Sequence, residues 1–308
     1  MNRGDVFIPK EFARHTTEVF GQTGARWLAE LPSLVRELAE RWQLVIGSPF
    51  ELSYGYVVSA RRADGAEVVL KIGVPDPETA QGIAALRRYD GDGACRLLEA
   101  DEDRGAMLLE RLGPGETLVD LAMKDDEEAA RVAAALMRQL WRSVSEGPPF
   151  GPLAEWFEAF PRHRSAYGGP GPIPVAMLAR AEALAVELLT SSPTSVLLHG
   201  DLHHYNILLV DRAPWLAIYP KGIYGDPGYE VGPFLLNPYL GEVSWDATKT
   251  LGRRLDVFAE ELSYDRSRLR DWGIAHAVLS ACWSAESHGA EQTQLDQAIA
   301  VAEALVAL

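Results

Sequence analysis

One stretch of the sequence carries residues whose types and spacing can do chemistry: His199-Gly200-Asp201-Leu202-His203-His204-Tyr205-Asn206. An Asp followed five positions later by an Asn, on one tight loop, suits the transfer of a phosphoryl group to a hydroxyl. The Asp meets the hydroxyl and takes its proton late in the transfer. The Asn turns back to hold a metal that bridges the phosphates. The flanking runs SVLLHGD and NILLV read as strands, from whose ends such a loop can project. The three histidines beside Asp201 admit a second reading, a transition-metal hydrolase. No other ligand cluster accompanies them, and in the plainer view His199 orients the loop while the others pack or face solvent.

Further candidates lie upstream and downstream of this loop. Lys71 interrupts the apolar run EVVLKIG. A lone Lys in a strand is commonly an edge residue. On the third strand of a meander, ahead of a helix, it is placed to neutralise nucleotide phosphates. Met107 to Leu112 leads from a strand into Gly113-Pro114-Gly115, and the backbone at Glu110 and Leu112 is placed to meet an adenine edge. No G-x-G-x-x-G loop is present, and Tyr54-Gly55-Tyr56 is a poor substitute. A cationic substrate needs carboxylates, for which Glu230, Glu286 and Glu291 are candidates, Glu286 first. Trp283 and Trp272 are candidates for a wall of that site, although aromatics at helical spacing more often fill a core.

The elements that must position these residues fall into two textures. Up to Leu112 the chain alternates a helix over Thr17 to Trp42, a strand meander with an Ala63-Asp64-Gly65 turn, a helix over Asp76 to Tyr89 and a second strand pair. Beyond Gly113 helical spacing dominates, as over Asp125 to Val144, where DDEE opens the helix with acids. The strand island around Asp201 is embedded in that helical part. This pattern predicts an α+β fold with a β-rich lobe over residues 1–112, a mainly helical lobe over 113–308, and a cleft between them.

Bulk properties narrow the function. The net charge of −15 over 308 residues argues against a nucleic-acid partner. It suits a cationic small molecule, or simply solubility. No apolar run approaches the roughly 18 residues of a membrane span. With two cysteines, Cys95 and Cys282, there is no disulfide framework, and a reducing, cytoplasmic setting and a monomer are expected.

HGDLHHYNILL, WLAI-x-PKG, GDPGYE and PFLLNP together resemble the aminoglycoside phosphotransferase family, in particular its streptomycin 6-phosphotransferases. LSYGYVVSARRADGAEVVLKIGVP, ALRRYDG, RLLEAD, GAMLLERL and AVLSACWSAE extend the resemblance over nearly the whole chain in the expected order. It implies a protein-kinase-like bilobal fold, ATP and Mg²⁺ as cofactors, and streptomycin or a related cationic compound as substrate. It also implies Asp201 as the catalytic-loop acid, Asn206 as a metal ligand, Lys71 as the phosphate lysine and Glu110 to Leu112 as the nucleotide hinge.

Two segments depart from the family pattern. Tyr219 stands where the family has the principal metal-binding Asp before PKG. Gly82 and Ala84 stand where acids that pair with the strand lysine are expected, with Glu78 one turn earlier. Asp226 and Lys221 are the candidates to compensate, although Asp226 also reads as a turn-forming Asp before Pro227. Three functions follow: an active phosphotransferase, a pseudoenzyme that binds nucleotide or antibiotic without turnover, or an enzyme acting on another small hydroxyl compound.

Overall fold

The computed structural model describes residues 6–145, 147–192, 194–238, 246–286 and 292–308. Helix α1 (Lys10–Arg41) precedes β1 (Leu44–Pro49), β2 (Gly55–Arg62), β3 (Glu67–Gly73), α2 (Pro77–Tyr89), β4 (Leu97–Asp101) and β5 (Ala106–Glu110). The five strands form one antiparallel sheet in the order β1-β2-β3-β5-β4. The expected turn between β2 and β3 is present, with Gly65 at φ 90° and Asp64 accepting the Ala66 N–H at 2.9 Å. Helix α1 begins earlier than its apolar spacing predicts and is broken at Gly21 (φ 56°, ψ −134°).

Alternation along the strands decides where Lys71 points. Tyr56, Val58, Val68, Leu70 and Ile72 pack with Trp27, Leu31 and Leu38 of α1 on one face of the sheet. Val57, Val69, Met107 and Leu109 join the main core on the other. Lys71 shares this second face, paired across the strands with Val57 and Met107. The apolar stem of Lys71 is thus built into the sheet while its ammonium reaches the neighbouring part of the chain.

That part contains β6 (Pro114–Thr117), α3 (Leu118–Ala122), α4 (Asp126–Leu140), β7 (Gly151–Pro152), α5 (Ala159–Tyr167), α6 (Val175–Thr190), β8 (Val196–Leu198), β9 (Ile207–Val210), β10 (Ala213–Ala217) and β11 (Ile223–Gly225). It closes with α7 (Val231–Leu236), α8 (Ala247–Leu262), α9 (Arg266–Glu286) and α10 (Gln292–Val306). Two small sheets, β10-β9-β6 and β7-β11-β8, sit among the helices. Asp125 caps α4 by accepting the Glu128 N–H at 3.0 Å, and Asp126 pairs with the buried Arg254 of α8 at 2.7 Å. The opening acids therefore serve both the helix dipole and the packing of α4 on α8. The helix ends at Leu140, short of the expected Val144, where the backbone turns extended at Trp141.

Helix α2 meets the segment after β10 through close backbone approaches as well as through the Glu78–Lys221 pair. A Cβ at Gly82 would lie 2.7 Å from the Pro220 carbonyl oxygen. Gly222, at φ 68°, faces the Gln81 carbonyl just as closely. Ala is ordinarily the better helix former by about 1 kcal/mol. Here overpacking costs about 1–3 kcal/mol and outweighs that gain. Gly82→Ala is therefore expected to lower the thermal midpoint, measured by circular dichroism; an unchanged or raised midpoint would show that the contact is not tight.

Candidate active site

The loop between β8 and β9 is braced from below. Glu230, fully buried, accepts the backbone N–H groups of His199 at 2.7 Å and Gly200 at 2.8 Å. His199 donates Nε2–H to the Ile218 carbonyl (2.9 Å) and accepts the Asp201 N–H on Nδ1 (3.2 Å), which fixes its tautomer. Burial lowers the pKa of His199 to about 4, so it is neutral at pH 7. Lys221 N–H donates to the His199 carbonyl at 2.7 Å, and Ile218 N–H to that of Asn206 at 2.9 Å. The loop between β8 and β9 and the Tyr219 turn thus form one hydrogen-bonded unit.

Asp201 stands on this unit with its side chain 37% exposed. Asn206 donates Nδ2–H to the Asp201 carbonyl at 2.9 Å and lies 3.4 Å from its Oδ2. His203 Nε2 lies 3.4 Å from Asp201 Oδ1. Burial pushes the Asp201 carboxyl up, but His203, Lys221 and His199 together pull it below the usual value. Asp201 is therefore an ionised acceptor at neutral pH. His204 is buried and stacked on Phe234, with ring centroids 3.9 Å apart. Among the described residues no group of three or more His, Cys, Asp or Glu could hold a metal ion, which removes the support for a metal hydrolase.

Lys71 and Tyr219 meet directly. The Lys71 ammonium sits 3.5 Å from the centroid of the Tyr219 ring. Burial, helped by the nearby Lys221, lowers the Lys71 pKa to about 7, and burial pushes the Tyr219 phenol up to about 12. Tyr219 is at φ 63°, a left-handed conformation that short polar residues tolerate far better than aromatic ones. Glu78 does not reach Lys71 and pairs instead with Lys221 at 2.6 Å. A hard Mg²⁺ ion normally rests on one or two carboxylates plus phosphate oxygens. This turn offers a neutral phenol beside the Asn206 amide, so the donor set does not fit the magnesium site that the resemblance implied.

Three sequence candidates find structural roles instead. Glu230 is not a substrate carboxylate, because it is sealed under the loop it braces. Asp226, 2% exposed, is consumed by Gly228 N–H, Tyr264 O–H and Arg268, and supplies no metal ligand. Trp272 is fully buried and belongs to the core. Glu286 remains partly exposed at the end of α9, 3.5 Å from Arg162. Glu291 and His288 lie outside the described residues. His276 is not isolated: its Nδ1 shares a hydrogen bond with the Tyr229 hydroxyl at 2.8 Å. The Glu110 carboxylate holds Arg212 and the Arg96 N–H, and its own N–H donates to the Arg96 carbonyl at 3.0 Å.

Sequence reasoning missed Trp156. A Cβ on Gly200 would lie 3.1 Å from its ring, so Trp156 lies beside the catalytic loop. It packs edge-on against Trp283 at 5.5 Å, and both are half-buried. Trp283 and Glu286 are three residues apart on one helix, hence on one face. Nothing in the AEWFEAF pattern distinguishes Trp156 from a core aromatic.

The brace has a pH signature. Burial raises the Glu230 pKa from 4.5 to about 7. Between these values the folded chain holds a proton that the unfolded chain has lost, so stability falls as pH rises through the window. His199 and His276, both lowered to about 4, act in the opposite sense below pH 6.5. Urea melts of the wild type and Glu230→Gln from pH 5 to 8 isolate the first effect. The wild type is expected to lose stability relative to Glu230→Gln by on the order of 3 kcal/mol over this range. A constant difference would contradict the assignment.

Residues 41–288 match the family model described as aminoglycoside/hydroxyurea antibiotic resistance kinase. The streptomycin 6-kinase of Streptomyces griseus is 36% identical over 97% of each chain. The hydroxyurea phosphotransferase of Kitasatospora aureofaciens is 36% identical, over 98% of this chain and 86% of that one. Among solved structures, the choline kinase LicA from Streptococcus pneumoniae superposes with a TM-score of 0.65 at 13% identity, covering 91% of this chain and 100% of that one. A thermostable aminoglycoside phosphotransferase in complex with ADP and hygromycin B superposes at 0.61 with 16% identity, over 88% and 97%. The fold is the α+β one that the strand and helix pattern predicts, and the protein-kinase-like one that the resemblance implies. With four-fifths of its length matched by the family model, the chain belongs to the aminoglycoside/hydroxyurea antibiotic resistance kinases.

Proposed function

We propose that this chain transfers the γ-phosphoryl group of ATP to a hydroxyl of a small antibiotic, with streptomycin or a related cationic compound as the first candidate. The observation that carries the reading is the ionised Asp201, held by His203 and Asn206 at the end of β8, on the same unit as Tyr219 and so beside Lys71. Asp201 orients the substrate hydroxyl. As its oxygen bonds to the γ-phosphorus and the bond to ADP breaks, Asp201 takes the proton. Lys71 and Lys221 supply positive charge to the phosphates. The backbone at Glu110 and Leu112 meets the adenine, the Glu110 carbonyl being the group on offer there, because its N–H is already spent on the Arg96 carbonyl. Trp156 and Trp283 form an apolar wall beside the acceptor, and Glu286 provides a carboxylate for its cationic group.

A second reading, binding of nucleotide or antibiotic without turnover, is favoured by one observation: Tyr219 occupies the metal-carboxylate position. Removing one such electrostatic contribution typically costs about 10²–10³ in rate.

Incubation with ATP, Mg²⁺ and either streptomycin or hydroxyurea, with products read by mass spectrometry, tests both readings. Slow product formation is expected from the wild type, a rate at least about tenfold higher from Tyr219→Asp, and a loss of about 10²–10⁴-fold from Asp201→Asn. Product only from Tyr219→Asp would establish the binding reading. Product from neither protein would exclude both compounds as substrates.

A further inference from the structure

The altered metal position and the altered α2 helix describe one device. Among the described residues Lys71 makes no salt bridge; its ammonium rests on the Tyr219 ring at 3.5 Å. Lys221 is the second cation of the site. It is tied to the catalytic loop through its N–H bond to the His199 carbonyl and held by Glu78 at 2.6 Å. Two lysines thus lie near two carboxylates, Asp201 and Glu78; burial leaves Lys71 only partly charged in the free chain, and an incoming polyphosphate would draw it to its ammonium form. A carboxylate at position 219 would leave an excess negative charge facing a polyphosphate, which a divalent cation would have to neutralise. The neutral phenol removes that excess. Gly82 meanwhile lets α2 rest directly on the Pro220 carbonyl, so the helix is positioned without an acid reaching Lys71. The lysine is left available to an incoming anion.

We propose that this chain holds the phosphates of a nucleoside triphosphate without a divalent cation, Lys71 and Lys221 supplying the positive charge. The Tyr219 ring fills the space beside Lys71, with the ammonium 3.5 Å from its centroid. The inference rests on the nucleotide-dependent reading above and extends it to how the phosphates are bound.

Calorimetric titration of the full chain with ATP, once with Mg²⁺ and once with EDTA, tests it. The wild type is expected to bind with dissociation constants within about threefold of each other in the two buffers. Tyr219→Phe, which keeps the ring and removes the hydroxyl, should behave the same way and excludes a phenolate ligand. Tyr219→Asp should become metal-dependent, binding at least about tenfold more tightly with Mg²⁺. Lys71→Ala and Lys221→Ala should each weaken binding in EDTA by about tenfold or more. Wild-type binding that tightens tenfold or more with Mg²⁺ would overturn the inference while leaving the phosphotransferase reading intact. Wild-type-like binding by both lysine variants in EDTA would overturn the assignment of the phosphate site. Absence of ATP binding in both buffers would overturn this inference and the nucleotide dependence beneath it.

Discussion

The Lys71 ammonium over the Tyr219 ring is the contact around which the candidate site is arranged. It joins the sheet of the first part of the chain to the loop system of the second. A desolvated contact of this kind contributes about 2 kcal/mol. The left-handed backbone at Tyr219 costs about 1–3 kcal/mol. The ring is also half-buried against the core. The backbone there has the shape that a short polar residue adopts readily, while the side chain has become one that coordinates no hard cation.

Around that contact the scaffold is unusually well tied. Glu230 secures the start of the catalytic loop through two backbone N–H groups. His199 ties the same loop to Ile218, and Lys221 returns to the His199 carbonyl. The ends of Asp201, Asn206 and Tyr219 are thereby fixed relative to one another, whichever side chain stands at position 219. In the proposed reaction a preorganised acceptor of this kind would contribute through charge placement. It also explains why a changed metal position need not disturb the fold.

Much of this was legible in the sequence because it is local. The spacing of Asp201 and Asn206, the turn at Asp64-Gly65, and the place of Lys71 on the third strand of the meander follow from short-range pattern. What escaped was long-range. Glu230 read as a substrate acid because its two N–H partners lie about thirty residues away in sequence. Glu78 appeared one turn short of Lys71, and the fold gave it a different lysine, Lys221. Gly82 looked like the loss of an acid and is also the gain of a close approach to Pro220. Trp156 carries no signature until the loop at Gly200 folds onto it.

The central claim is that Tyr219, through its ring face, takes the place of a metal-binding carboxylate beside Lys71. Nuclear magnetic resonance of the lysine side chains, comparing the wild type with Tyr219→Leu, tests it most directly. The account predicts Lys71 methylene signals shifted upfield by the ring, titrating near pH 7, with the upfield shift absent in Tyr219→Leu. A Lys71 signal at the ordinary lysine position, titrating near 10.5 and indifferent to the substitution, would contradict it.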